Sequence, residues 1–482
     1  MTGARDFIFL NEPGSLDPAG WNPEGKELLW RYNLHYFEDL TAFGAEQRVT
    51  WHEALIEDWI ASNPPATGTG WASYPLSLRV VNWIKWHNSG IGTLSLNAIE
   101  SLSVQVRWLT KRLERHLLGN HLFVNAKALV IAGQFFEGQE AEEWYQLGLS
   151  ILRREVPEQI LGDGGQFELS PMYHSLAIED AVDLLLSERC SSSRQSGASQ
   201  LLSKRLDAML NWLAAMTHPD DEISFFNDAA LEVAPSPTEL HRYAGYVQKL
   251  PLARPGTVHL QHSGYARLES EDAVLLADIG DIGPDYLPGH AHADTLSFEL
   301  SIYGQRVVIN SGTSRYGVSP ERARQRGTAA HSTVCVDGED SSEVWSGFRV
   351  ARRARALDAQ LDSAERSSAV SASHDGYQRL RGGGLHRRSW DLSKRKLQIE
   401  DRWTGHLPAE SRLHLHPHVS ATLGDGRVVI TLPSGQTIQV QSPVGEIRIQ
   451  PSTYHPKLGI RLDNQVLSLP LADGTASIGL SW

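Results

Sequence analysis

The sequence predicts an α+β protein of two dissimilar halves, helical hairpins first and antiparallel β-strands second. Three observations carry that expectation. Residues 1–250 hold 19 Lys/Arg against 32 Asp/Glu, whereas 251–482 hold 25 of each, so the whole net charge of −13 lies in the first part. Ten of the 14 tryptophans fall there too. Apolar residues recur at intervals of three and four in the first half and alternate over short runs in the second. At roughly 100–200 residues per domain, 482 residues predict two to four domains. The segment 250–256 (LPLARPG) interrupts the pattern with two prolines and a glycine. It divides a helical domain over 1–252 from a sheet domain over 253–482.

The helices come first. In 97–118, Ile99, Leu102, Val106, Leu109, Leu113 and Leu117 line one face, with Asn97 and Glu100 as a start signal and Gly119 as a stop. Similar segments lie near 74–88, 122–137, 141–154, 175–188 and 199–216. In the second half, 295–309 alternates and breaks at Tyr303-Gly304, the mark of a hairpin. Further strands are expected at 273–279, 331–336, 396–402, 411–417, 427–432, 436–441, 445–449, 459–468 and 476–481. Short strands at this density mean a β-sandwich or a stack of antiparallel sheets.

Composition also excludes functions. Two cysteines, Cys190 and Cys335, rule out a disulfide framework and a Cys-based zinc site. No stretch approaches the ~20 apolar residues of a membrane span. The N-terminus, MTGARDFIFLNEPGSL, lacks a basic start followed by an apolar run, so a signal peptide is expected to be absent or trimmed away. A net charge of −13 argues against nucleic acid as the partner. An enzyme or a carbohydrate binder remains, with tryptophans available both to fill helix interfaces and to line a sugar groove.

Four constellations can carry chemistry. Asn120 and His121, with Asn125, sit at a helix junction where side chains can face a cleft; a capping Asn and a half-buried His are the structural alternative. The run 162–174 (GDGGQFELSPMYH) is a shaped loop that ends in Tyr173 and His174, both able to donate and accept protons. Its Asp163 and Glu168 are either amide caps or a carboxyl pair of the kind a glycoside hydrolase uses. His290 and His292 lie two residues apart on an extended segment, so both imidazoles share a face, as a metal pair or as a catalytic base beside a structural His. His331 could supply a third ligand. Finally, 345–396 holds twelve Lys/Arg against five Asp/Glu. Most of these form a solvated face, but Arg349, with Arg326 and Trp345, is a candidate substrate contact. The three alternating histidines of 412–418 read as structural.

In order along the chain, GNHLFVNAKAL, GDGGQFELSPMYH, GHAHADTLSFEL with NSGTSRYG, and AHSTV resemble the heparinase II/III family of polysaccharide lyases. The resemblance runs from about 30 to about 420, and WRYNLHYF at 30–37 is similar to members found with bacterial surface-polysaccharide genes. It implies an N-terminal (α/α) toroid followed by a C-terminal antiparallel, sandwich-like sheet domain. The implied reaction is β-elimination at a uronic acid of an acidic polysaccharide. By the same resemblance Asn120 bonds the carboxylate with His121 nearby, Tyr173 is the acid and in some epimers also the base, and His290 is the companion base. Asn125, Glu168 and His174 would line the substrate. The family also implies a structural divalent metal, zinc or calcium, on two histidines and an acid. His292 and His331 match, but the acidic position is Asn310, whose neutral amide is a much poorer zinc ligand than a carboxylate. Asp294 as substitute, or an empty site, are the alternatives.

Two other functions compete with the lyase: a glycoside hydrolase using Asp163 and Glu168, and a non-catalytic glycan-binding protein of polysaccharide assembly. The acidic first half suits a lightly charged exopolysaccharide, capsule or O-antigen better than highly sulfated heparin. Substrate logic places the protein in the periplasm or at the cell surface. Oligomeric state is not legible.

Overall fold

The computed structural model describes residues 1–190, 197–249, 251, 255–364, 367–424 and 427–482. None of its helices among these residues is long and apolar enough to cross a membrane. Contacts divide the chain into two compact units, Met1–Gln159 with Glu179–Arg205, and Ile160–Ile178 with Leu206–Trp482. Helices Pro171–Cys190 and Gly197–Ala215 therefore run from one unit into the other. In this division residues 160–178 and 206–249 group with the sheets. Of the expected linker 250–256, residues 250 and 252–254 lie outside the described residues.

The first unit opens with a small hairpin, Asp6–Phe9 against Glu12–Ser15, and continues in helices. The main ones are Val49–Ser62, Ser73–Asn88, Leu96–Thr110, Gly119–Phe135 and Gln139–Gln159. The last two form an antiparallel pair that two glycines bring together. A Cβ on Gly133 would lie 2.7 Å from the Ala141 carbonyl oxygen, and one on Gly148 would lie 2.8 Å from that of Ala126. The tryptophans are core rather than groove. Trp59 packs edge-on against Trp83 with ring centroids 5.8 Å apart, and the buried Arg79 guanidinium lies 3.8 Å over the Trp59 ring. Eight of the ten in residues 1–250, Trp21, Trp30, Trp59, Trp71, Trp83, Trp86, Trp144 and Trp212, are buried.

One helix is shorter than its periodicity predicts. Leu96–Thr110 is capped by Ser95, whose Oγ accepts from the Ala98 amide at 3.0 Å, not by Asn97. It stops before Leu113 and the exposed Leu117, and Gly119 begins the following helix instead of ending this one. Leu118 and Gly119 both take positive φ, 58° and 51°, and turn the chain into it.

The second unit is a β-sandwich. One sheet runs in the order Arg448–Tyr454, Leu462–Pro470, Ala409–Leu415, Gln305–Ile309, Phe298–Ile302, Ala273–Asp278, Tyr265–Glu269, Val258–Leu260, with Val334–Val336 also paired to Ala409–Leu415. The other runs Ala356–Ser363, Ser367–His374, His386–Ser393, Lys396–Trp403, Thr475–Ser481, Thr437–Gln441, Arg427–Thr431, Ser420–Gly424. Leu275, Phe298 and Leu300 of the first meet Val370, Trp390, Ile399 and Ile478 of the second in one core. The first sheet is covered on its other face too: Val274 and Leu276 pack on Trp212, Met216 and Phe226. That second cover explains why Ala273–Asp278 is buried at every position. The Tyr303-Gly304 hairpin forms as expected, with φ of 52° and 75° joining Ile302 to Gln305.

Candidate active site

Four connections of the sandwich unit, 162–170, 216–230, 279–297 and 310–333, converge on Asp228. Its side chain is wholly buried. Oδ1 accepts from His292 Nε2 at 2.9 Å and from Thr313 Oγ1 at 3.2 Å, and Oδ2 accepts from His290 Nδ1 at 2.9 Å and Arg322 Nη2 at 2.7 Å. Arg322 Nη1 completes a bidentate clamp on Oδ1. Burial alone would push this carboxyl up; Arg322 and the two imidazoles instead hold it well below the usual carboxylate range. It is an anion.

That anion sets the state of His290. Because Asp228 can only accept, His290 Nδ1 carries a hydrogen, and the bond turns Nε2 away from Asp228. Nε2 stands 3.6 Å from Glu168 Oε2. The Tyr173 ring lies against the imidazole, with centroids 3.9 Å apart, and the Tyr173 hydroxyl is 3.0 Å from that of Tyr316. Local sequence places the tyrosine: Ser170 Oγ accepts from the Tyr173 amide at 3.2 Å and donates to the Asp228 carbonyl at 2.5 Å, while Pro171 starts the helix. The structure thus brings together Tyr173, His290 and Glu168. Sequence reading missed Asp228, Arg322 and Tyr316, since nothing in SFFNDAA or PERARQR marks a tertiary clamp.

Other expected residues serve the scaffold. His174 is buried, pairs through Nε2 with the Met209 carbonyl and accepts from the Gln166 amide on Nδ1; burial pushes it down to about 4. Arg326 is buried and donates to the carbonyls of Ala291, Trp345, Ser346 and Arg349, so it does not reach substrate. Asp163 accepts from the amides of Gly165, His262 and Ser263 and from the Ser263 hydroxyl. With four donors on it, Asp163 cannot serve as half of a hydrolytic carboxyl pair. Arg349 and Trp345 stay exposed on a small hairpin. Several arginines of the basic stretch face acids: Arg352 meets Glu343, Arg353 meets Asp285, Arg355 meets Asp281, and the buried Arg388 meets Asp401.

The expected metal ligands do not form a three-ligand set. Asn310 spends its amide on Ser297 Oγ at 3.2 Å and accepts from the Ser332 amide at 3.0 Å. Asp294 accepts from the Asn227 amide at 3.0 Å, and burial raises its carboxyl to about 7. Neighbouring imidazoles of His292 and His331, with centroids 5.2 Å apart, retain three ring nitrogens without partners. Among the described residues no group of three or more His, Cys, Asp or Glu is arranged to hold a metal ion. Two imidazoles and a committed amide do not fit a zinc or calcium centre.

In the helical unit, Asn120 and His121 occupy the first turn of Gly119–Phe135, both half-buried. His121 Nδ1 is 3.1 Å from Glu114 Oε1, and its ring lies 4.5 Å from that of Tyr74. Asn125 is buried and committed: it donates to Glu114 Oε2 and Ser77 Oγ and accepts from the Glu114 amide. It shapes the turn rather than facing a ligand. Glu114 and Tyr74 are the partners that the sequence did not mark.

The chain matches Heparinase II/III N-terminus over residues 21–251 and Heparinase II/III-like, C-terminal, over 253–479. It belongs to the heparinase II/III family. A heparin-sulfate lyase of Bacteroides stercoris is 28% identical over 398 residues, covering 70% of this chain and 58% of its own length. The heparin-sulfate lyase of Pedobacter heparinus is 26% identical over 249 residues, 46% of this chain and 36% of its own. This family member therefore spans well under two thirds of those relatives in alignment. Among solved structures, Heparinase III has a TM-score of 0.72 at 18% identity, covering 94% of this chain and 76% of its own. A chondroitinase AC lyase has 0.56 at 9%, covering 94% and 75%. At such identities the likeness is one of fold, helical (α/α) toroid followed by antiparallel sheets, as the sequence predicted.

Proposed function

We propose that this chain is a polysaccharide lyase that cleaves an acidic glycan by β-elimination at a uronic acid. The Asp228–His290 pair lying against Tyr173 carries the reading. The C5 proton is weakly acidic because the adjacent carboxylate is already charged, so the reaction needs a base, an acid and a neutraliser. His290 Nε2, freed by the hydrogen bond from Nδ1 to Asp228, takes the C5 proton. The electron pair forms the C4–C5 double bond as the C4–O bond breaks. The Tyr173 phenol gives its proton to the departing oxygen. The imidazolium so formed has the Asp228 and Glu168 carboxylates on either nitrogen, which lowers the barrier to proton uptake. Within the helical unit, family resemblance assigns Asn120 to a uronate carboxylate, and Glu114 holds the neighbouring His121.

For the substrate we favour a uronate glycan of low sulfation, since the chain carries −13 overall. The relatives named above are heparin-sulfate lyases, so unsulfated and sulfated heparan chains belong in the test panel. Such a substrate puts the protein in the periplasm or at the cell surface. Each cut should create an unsaturated uronate with ultraviolet absorbance, lost in Tyr173→Phe. Chain shortening without the chromophore would refute elimination, and saturable binding without turnover would mark a glycan-binding protein.

A further inference from the structure

Beside His290 the sandwich unit carries a short finger, Val344–Trp345 against Arg349–Val350, with Ser346, Gly347 and Phe348 at its tip. Two wholly buried arginines pin it. Arg326 donates to the carbonyls of Trp345, Ser346 and Arg349 and, with the same guanidinium, to Ala291 next to His290. Arg322, the clamp on Asp228, donates through Nε to the Gly347 carbonyl at 3.1 Å. Gly347 is required at the tip, because a Cβ there would sit 2.8 Å from the Gly317 carbonyl oxygen. So much anchoring holds an aromatic surface in the open. Trp345 is 57% exposed and Phe348 42%. Phe348 reaches within 6.1 Å of the His290 ring and 5.6 Å of Tyr316, centroid to centroid, so the aromatic surface is continuous with the site. Trp345 and Arg349 are directly paired, which sends the indole and the guanidinium off the same face of the hairpin.

We propose that this finger is a binding subsite for the sugar next to the cleaved bond, taking a pyranose that offers an apolar C–H face and an anionic substituent. Phe348 and Trp345 stack on the ring face, and Arg349 meets the anion. The buried cations, Arg322 and Arg326, are spent on Asp228 and on carbonyls, so charge selection at this subsite falls to Arg349. The subsite rests on the lyase reading for its neighbour but can be tested without turnover.

Titration calorimetry in the Tyr173→Phe background, with an unsulfated glucuronate–N-acetylglucosamine hexasaccharide as probe, reads the subsite directly. Trp345→Ala and Phe348→Ala should each weaken binding about tenfold. Trp345→Tyr, which keeps a ring, should recover most of the loss, and all variants should keep the parental melting midpoint. Arg349→Gln should weaken the hexasaccharide but not its carboxyl-reduced form. Equal affinity in the parent and the two alanine variants, or no binding in the parent, would overturn the subsite. Binding that follows this pattern in a protein that never yields an unsaturated product would instead overturn the lyase reading while leaving the subsite standing.

Discussion

Asp228 makes its site by saturation: two imidazoles, a hydroxyl and a guanidinium consume both oxygens, and the reactive nitrogen of His290 is what remains. Asp228→Asn keeps the size but can present an amide donor to His290 Nδ1, favouring the wrong tautomer. Turnover should fall by about 10²–10⁴ with KM little changed, by analogy with carboxylate–His pairs elsewhere. A loss confined to KM would show that Asp228 only shapes the binding surface. Asn310→Asp puts a carboxylate at the position where the family resemblance expects the acidic ligand. Zinc affinity by calorimetry should rise at least about 100-fold over the parent; unchanged affinity would show that the imidazoles are not directed at one ion. At this scale the sequence marked Tyr173 and His290, the groups proposed for the chemistry, because their types and local motifs are unusual. It could not mark Asp228 or Arg322, whose roles exist only once four separate connections meet. It also overvalued Asn125, His174 and Arg326, polar residues that pay for burial with hydrogen bonds and never see solvent.

Elements were legible where apolar residues alternate, as on a half-buried strand, or run unbroken, as in the fully buried Ala273–Asp278. Lys396–Trp403 and Thr437–Gln441 alternate as expected. Strands with polar sequences, such as Ser367–His374 and His386–Ser393, escaped notice because serines, arginines and histidines fill their inward positions too; Arg388 and His386 are buried against Asp401. The helix pair Gly119–Phe135 and Gln139–Gln159 depends on close backbone approach at its two glycines. Gly148→Leu should therefore lower the melting temperature of the helical unit by several degrees, read by circular dichroism. An unchanged midpoint would show that the pair can spread at no cost.

Over the whole molecule, the composition split survives in altered form. The tryptophans that suggested a sugar groove mostly fill the core, and the exposed aromatics beside His290 come from the tryptophan-poor half. Buried neutral histidines give the fold a defined response to acid. Burial lowers His35 and His414 to about 3 and His174 to about 4. Unfolded, each would titrate near 6.5, so below that pH the unfolded chain binds more protons and stability falls as pH drops from about 6.5 towards 4. Each histidine contributes up to about 1.4 kcal/mol per pH unit over that window. A melting temperature that held steady from pH 6.5 to 4 would contradict their being neutral in the fold.

The central claim, elimination at a uronate by His290 and Tyr173, is tested most directly by ultraviolet absorbance during incubation with a panel of uronate-containing polysaccharides. The parent protein should generate the unsaturated chromophore on at least one of them, and Tyr173→Phe and His290→Ala, folded to the same melting point, should not. Depolymerisation without absorbance, or a chromophore that persists in both variants, would contradict it.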